Sequence, residues 1–246
     1  MSTSRTADIV FCIDASKSMA PCYALLQKSL SSMVTALTDG QGAWDVRFDF
    51  VAHSASENGV FRLETVRNQG STGVVQNLYG TGHGSFFTSS IQEFTARLAA
   101  VEMQADESPL FALDVCLDFP WRDAATCHRV VILLTDEPFE QGARLNWQKD
   151  KLPALIRKIQ DLKVLLFIVA PSSQVFDELA QVDKSEYEVI DGINTGMANV
   201  DFSRLLAAIG KSVSVSNLQG SAPPTIQKSL YGQADMSGTN EAMTGA

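Results

Sequence analysis

The stretch "DIVFCIDASKSMAPCY", residues 8–23, decides the fold. Its opening "DIVFCI" (8–13) is a near-continuous apolar run, the length and character of a strand buried on both faces. The run ends in Asp14, and Ser16 and Ser18 follow at alternate positions. Apolar residues then recur at helical spacing through "YALLQKSLSSMVTAL" (23–37) until "TDGQG" supplies a stop. Three short oxygen-bearing side chains therefore stand at a strand-to-helix junction. They read as a helix cap, for which Asp and Ser are favoured, as a phosphoenzyme nucleophile, or as half of a metal site.

Strand-like and helix-like segments alternate onward from this point. "DVRFDFVAH" (45–53) alternates as a half-buried strand, and "GVFRLETVR" (59–67) follows a short polar turn, which predicts a hairpin. Residues 68–88, rich in Gly, Ser and Thr, read as a long surface loop. Helices are predicted over 90–103, over 109–119 with Pro109 in the first turn, and over 147–162, where Pro153 bends the helix or marks its beginning. Strands at 128–135 and 163–170, a helix at 173–182, a short edge strand at 187–192 and a closing helix at 199–214 complete the pattern. The expected fold class is α/β: a doubly wound, Rossmann-like, mostly parallel six-stranded sheet with one antiparallel edge strand and helices on both faces. One domain is expected over 8–214, after an N-terminal extension (1–7) and before a flexible Ser/Gly/Ala-rich tail (215–246).

Composition narrows the function classes. With 45% hydrophobic and 19% charged residues, the 246-residue chain has material for a sizeable core and is not globally disordered. A formal net charge of -9 speaks against a nucleic-acid binder, which carries a basic stripe to neutralise phosphates. "MSTSRTADIVF" lacks the apolar centre of a signal peptide, and no run approaches the roughly 20 apolar residues of a membrane span. Cys12, Cys22, Cys116 and Cys127 show no CxxC spacing and read as buried reduced thiols. The expectation is a cytoplasmic protein with neither nucleic-acid nor membrane partner.

In open α/β sheets, ligands sit outside the carboxyl ends of strands, where the strand order reverses. The first strand ends at Asp14, and "LLTDE" (133–137) ends another at Thr135, Asp136 and Glu137. "ADESPLFAL" (105–113) places Ser108 just before Pro109 at a helix start. Hydroxyl and carboxylate oxygens are hard ligands, suited to Mg2+, Mn2+ or Ca2+.

This set resembles the von Willebrand factor A (vWA) domain with its metal-ion-dependent adhesion site (MIDAS). The family pattern is Asp-x-Ser-x-Ser after the first strand, a later Thr before a helix, and an Asp after the fourth strand. "DASKS" supplies Asp14, Ser16 and Ser18, "ESPLFAL" puts Ser108 in the Thr place, and "LLTDE" supplies Asp136. The likeness covers about residues 8–212. It implies a divalent-metal-dependent protein–protein interaction module rather than an enzyme, of a stand-alone intracellular bacterial type, serving as an accessory or adaptor in a multi-protein or stress-response system. It further implies that Ser16, Ser18 and Ser108 contact Mg2+ (or Mn2+ or Ca2+), that Asp14 and Asp136 hold it largely through water, and that a protein partner's Asp or Glu completes the coordination. Family analogy also couples Ser108 engagement to movement of the last helix. Two departures are visible: Ser108 lacks the threonine methyl, and Glu137-Pro138 replace the usual glycine. Glu137 is assigned to the rim or to a cap of the following helix, and His83, in the long loop, is the second rim candidate.

Rival readings fare less well. A haloacid-dehalogenase-type phosphatase needs a second aspartate where Ser16 stands, and a receiver domain needs a lysine at the other end of "KVLLFIVAP". "GTGHGS" (80–85) and "GKS" (210–212) lack phosphate-loop spacing. A hydrolase using the same metal, and a metal-free scaffold, remain as alternatives. His53 and His128 are expected to satisfy backbone groups near strand ends. Trp44, Trp121 and Trp147 are expected to seal loop-to-core contacts, with Trp147 also a candidate to border the site.

Overall fold

The computed structural model describes residues 5–38, 44–55, 60–80, 86–104, 107–142, 144–216 and 218. The predicted alternation is realised as β1 (Arg5–Asp14), α1 (Ala20–Thr38), β2 (Trp44–Ala55), β3 (Phe61–Glu64), α2 (Gly70–Tyr79), α3 (Ile91–Ala99), α4 (Pro109–Leu117), β4 (Cys127–Leu134), α5 (Leu145–Lys149), α6 (Leu152–Leu162), β5 (Leu165–Ala170), α7 (Gln174–Ala180), β6 (Ser185–Val189) and α8 (Phe202–Val215). The six strands form one sheet in the order β3-β2-β1-β4-β5-β6. Every pairing is parallel except β2–β3, whose register starts at Ala55 opposite Phe61. The expected doubly wound α/β sheet with one antiparallel edge is therefore what the chain builds.

Side-chain alternation along β1 explains why helices cover both faces. Ile9, Phe11 and Ile13 enter one core with residues of α1, α3 and α8, while Val10 and Cys12 enter the other with residues of α4, α6 and α7. A strand apolar on both sides has nowhere else to go, since either exposed face would forfeit about 25 cal/mol per Å². All four cysteines are free and buried. Among the described residues, no helix is long and apolar enough to cross a membrane.

Two local expectations need correction, and Pro153 marks a helix beginning, one of its two expected roles. The 68–88 segment is not simply a surface loop: α2 lies within it and buries Val74 and Leu78. Ser71 explains its attachment, accepting from Leu63 N at 3.0 Å and donating to Phe61 O at 2.7 Å, so the helix start is stitched to the edge strand. The 147–162 helix divides into α5 and α6, with Pro153 in the first turn of α6, where its missing N–H costs nothing. His128 Nδ1 lies 3.0 Å from the Ser216 hydroxyl rather than meeting a backbone group. The tail beyond Leu218, the N-terminal residues 1–4 and His83 lie outside the described residues.

Strand order places the site. β1 is central: its connection leads to β2 on one side, and β4 joins it on the other. The crevice of a doubly wound sheet opens at such a reversal, beyond the carboxyl ends of β1 and β4. Asp14 ends β1, and Asp136 follows two residues after β4.

Candidate metal centre

Asp14 and Asp136 are both fully buried. Asp14 Oδ1 accepts the Ser16 backbone N–H at 2.6 Å, and its Oδ2 accepts from the Thr135 hydroxyl at 3.1 Å. Ser16 Oγ and Ser18 Oγ are 2.9 Å apart, and Ser18 Oγ donates to Asp136 Oδ1 at 3.0 Å. The other Asp136 oxygen accepts from Gly196 N at 2.6 Å. Four of the five predicted residues thus form one connected cluster of hard oxygens.

The fifth, Ser108, reaches the same end of the sheet by a different route. Its backbone N–H donates to His53 Nδ1 at 3.3 Å. His53 stands opposite Asp14 in the β1–β2 register, and its carbonyl accepts from Ala15 N at 2.8 Å. His53 therefore satisfies a backbone group near a strand end, as expected. The Ser108 hydroxyl is fully buried and has no hydrogen-bond partner among the described residues.

These contacts speak against a capping role for the serines. Ser16 precedes a short 3-10 turn (Lys17–Met19) and Ser108 precedes α4, yet neither side chain makes a capping hydrogen bond. Buried hydroxyls are normally satisfied, and leaving one unpaired costs about 1–3 kcal/mol. Only Asp14 performs local backbone work, closing a turn over Ser16. Glu137 is half-buried at the rim; it caps nothing, because Pro138 takes the capping place before the 3-10 turn Phe139–Gln141.

Electrostatics points the same way. Burial, followed by the neighbouring Asp136 charge, pushes the Asp14 carboxyl up to about 6, against the opposing influence of His53 and the Ser16 N–H. Burial and then the Asp14 charge also drive the Cys22 thiol and the Tyr23 hydroxyl well above their ordinary values. Neither Asp14 nor Asp136 forms an ion pair with Lys or Arg among the described residues. Among those residues there is also no cluster of three His, Cys, Asp or Glu side chains able to hold a metal ion. The donor set is two carboxylates plus hydroxyls, which fits a hard divalent cation that keeps part of its water and does not fit a soft thiolate- or imidazole-seeking metal.

The sequence matches no protein-family model and no curated protein. Solved structures do match. A von Willebrand factor type A protein from Catenulispora acidiphila aligns over 85% of this chain and 43% of its own, at 16% identity and TM-score 0.52. Proximal thread matrix protein 1 from the mussel byssus aligns over 86% of this chain and 47% of its own, at 16% identity and TM-score 0.54. The fold is that of a von Willebrand factor A domain. The human COPII-coat protein Sec24c aligns over 86% of this chain and 33% of its own, at 12% identity and TM-score 0.50. The chain spans less than half the length of each of these neighbours.

On this vWA fold, sequence reasoning missed three supports of the site. In the sequence Thr135 reads only as part of a strand end, although its hydroxyl orients Asp14. His53 reads there as a generic backbone partner, whereas it ties the Ser108 segment to the Asp14 loop. Gly196 was not singled out, yet its N–H fixes Asp136 from the loop between β6 and α8. A detectable signal for that loop was the pair Gly192 and Gly196 after a predicted edge strand, since closely spaced glycines mark backbone with positive φ.

Proposed function

We propose that this vWA-fold chain is a divalent-cation-dependent protein-binding module. One observation carries the reading: two fully buried carboxylates, with no Lys or Arg ion-paired to them among the described residues, converge with the Ser16 and Ser18 hydroxyls, while at the same end of the sheet Ser108 Oγ is buried and has no hydrogen-bond partner among the described residues. Buried charge is tolerated when it is paired or bound to metal. Ser16, Ser18 and Ser108, with Asp14 and Asp136, would hold the cation; Mg2+ suits this donor set, and Mn2+ or Ca2+ share its preference for oxygen. Held by few protein charges, such an ion would supply an electrophilic position for a carboxylate oxygen from a partner's Asp or Glu.

Binding is favoured over hydrolysis by the surroundings of the carboxylates. The imidazole that faces the site, His53, already uses Nδ1 to accept the Ser108 N–H. Thr135 and Gly196 lock the second oxygens of Asp14 and Asp136. A general base needs a lone pair within reach of its proton, and the remaining lone pairs of these carboxylates are the ones that would hold the cation. The proposed setting is an accessory or adaptor role in a bacterial multi-protein or stress-response system, in a reducing cytoplasm to which four free buried thiols are suited.

Asp14→Asn tests the metal directly. The amide keeps the oxygen that accepts Ser16 N–H and offers an N–H to Thr135, while removing the buried charge. In EDTA the variant is expected to be at least as stable as wild type. In Mg2+ at about a hundred times Kd, wild type alone gains about 2.7 kcal/mol. Identical thermal unfolding of wild type with Mg2+ and with EDTA would refute the proposal.

A further inference from the structure

The rim beside the candidate metal centre carries an exposed aromatic surface. The Phe61 ring stacks on Phe111 with centroids 4.7 Å apart and on Trp147 at 5.5 Å, and Phe111 meets Trp147 at 5.7 Å. Trp147 is 42% exposed, and Val60, next to Phe61, is 65% exposed. Two cations flank the stack: the Arg144 guanidinium lies 5.1 Å over Phe61 and the Lys151 ammonium 5.1 Å over Trp147. Lys151 is shared with Asp114 at 3.2 Å, whereas Arg144 is exposed and makes no ion pair with another described residue.

Topology puts this surface at the end of the sheet where Asp14 lies. Phe61 pairs with Ala55, two residues beyond His53, which is level with Asp14. Phe111 stands in the first turn of α4, three residues after Ser108. Gln148, beside Trp147, accepts from the backbone N–H groups of Leu110 and Phe111 through Oε1, at 3.0 and 3.3 Å. This buried side chain anchors α5 to the start of α4, so the aromatic stack and Ser108 share one rigid support.

We infer that the Phe61–Phe111–Trp147 surface is a docking subsite for an acidic partner segment that carries an aromatic or large aliphatic residue close to the carboxylate presented to the metal. The inference rests on the metal-dependent reading above and adds the partner's second recognition element. Charge decides the occupant. With 28 acidic against 19 basic residues, the chain as a whole repels an acidic segment. A rim where a guanidinium without an ion pair among the described residues stands over partly exposed rings reverses that sign locally, and such a reversal selects both partner and register. Aromatic and Arg side chains at the edge of a pocket are also the residue types that dominate binding energy.

The test is selection of a random-peptide phage library on the full chain in Mg2+. Enrichment of peptides with Asp or Glu and, within a few positions, Trp, Phe, Tyr, Leu or Ile is expected. Trp147→Ala should retain its fold by circular dichroism, abolish the apolar preference, and weaken the selected wild-type peptides about tenfold or more, the effect of losing one anchor residue. Arg144→Glu should weaken them too and shift enrichment toward basic flanks. Peptides without an apolar preference, no enrichment, or equal affinity for Trp147→Ala would each overturn the inference. Peptides that require Trp147 but bind equally in EDTA would leave the subsite standing and remove the metal reading. Self-association of wild type that Trp147→Ala abolishes, seen by sedimentation, would assign the surface to a second copy of this chain and overturn the inference as well.

Discussion

Replacing Gly196 by Ala tests the geometry on which the candidate metal centre depends. Gly196 has φ +62°, and a Cβ added there would lie 2.2 Å from the Ser18 carbonyl oxygen and 2.6 Å from Pro21 Cδ. Two costs add. The left-handed backbone costs an L residue about 1 kcal/mol, and forcing a methyl against backbone in a packed site costs about 2 kcal/mol more. Gly70 provides the control: its φ is +71°, but a Cβ there meets nothing within 4 Å. Gly70→Ala should therefore lose about 1 kcal/mol, from strain alone. In EDTA, urea denaturation followed by circular dichroism should separate the two variants by about 2 kcal/mol at unchanged slope. The clash also pushes the 192–197 loop away from Ser18, withdrawing the Gly196 N–H that sits 2.6 Å from Asp136 Oδ2. Mg2+ affinity should fall with it, by about tenfold for one charge-assisted hydrogen bond. Equal destabilisation by the two substitutions would mean that the loop does not approach Ser18 as described, and the reasoning would fail at its first step.

Three further outcomes follow from the scaffold. Phe94 is fully buried among Phe11, Phe48 and Phe50, with centroids at 5.5, 6.1 and 5.6 Å, so Phe94→Ala should cost about 4 kcal/mol in denaturant titrations. Asp8 is fully buried and bonded to Arg47 and Arg122; burial by itself would raise its carboxyl, but the two guanidinium groups outweigh it and hold the carboxyl below 3.8. Its contribution is therefore complete above that ordinary value and lost as pH falls through the lower folded one, and Asp8→Ala should cost about 3 kcal/mol at neutral pH. For His128, burial first, then the Lys184 and Arg5 charges, lowers the imidazole from 6.5 to about 4. The folded state binds fewer protons than the unfolded one between those values, so stability falls by up to about 3 kcal/mol as pH drops from 6.5 to 4; His128→Gln should flatten that part of a stability-against-pH curve.

Much of the fold was legible because burial on both faces leaves a plain mark. "DIVFCI", "HRVVILLT" and "KVLLFIVA" have no polar face to place, so a covered parallel sheet was the consistent outcome. α2 was hidden because it buries only two side chains and is anchored by the Ser71 hydroxyl, in a segment whose Gly and Ser suggested a loop. The candidate ligand residues showed because their type and spacing are chemical. Their supports did not, because Gly196 acts through a backbone N–H and His53 through one ring nitrogen and a carbonyl. Such roles depend on segments brought together from distant parts of the chain, and no local spacing encodes them.

Those supports bear on how a cation would act here. The Asp14 loop is held by Ala15 N to His53 O at 2.8 Å, Gln104 N to Ala15 O at 2.9 Å and Lys17 N to Gln104 O at 3.1 Å. Asn194 N to Asp136 O at 3.0 Å holds the other carboxylate segment. The protein thus has already met the ordering cost of bringing two carboxylates together, and the unfavourable remainder is electrostatic. A cation bound there would relieve that remainder without having to move the backbone, so on the proposed reading its stabilisation of the fold and its capture of a partner carboxylate would draw on one free energy. Linkage then fixes a relation between them: a peptide whose affinity Mg2+ raises by some factor must raise Mg2+ affinity by the same factor. A carboxylate docking elsewhere on the surface would leave the two affinities independent, which separates coordination at Asp14 and Asp136 from simple charge attraction at the Arg144 rim.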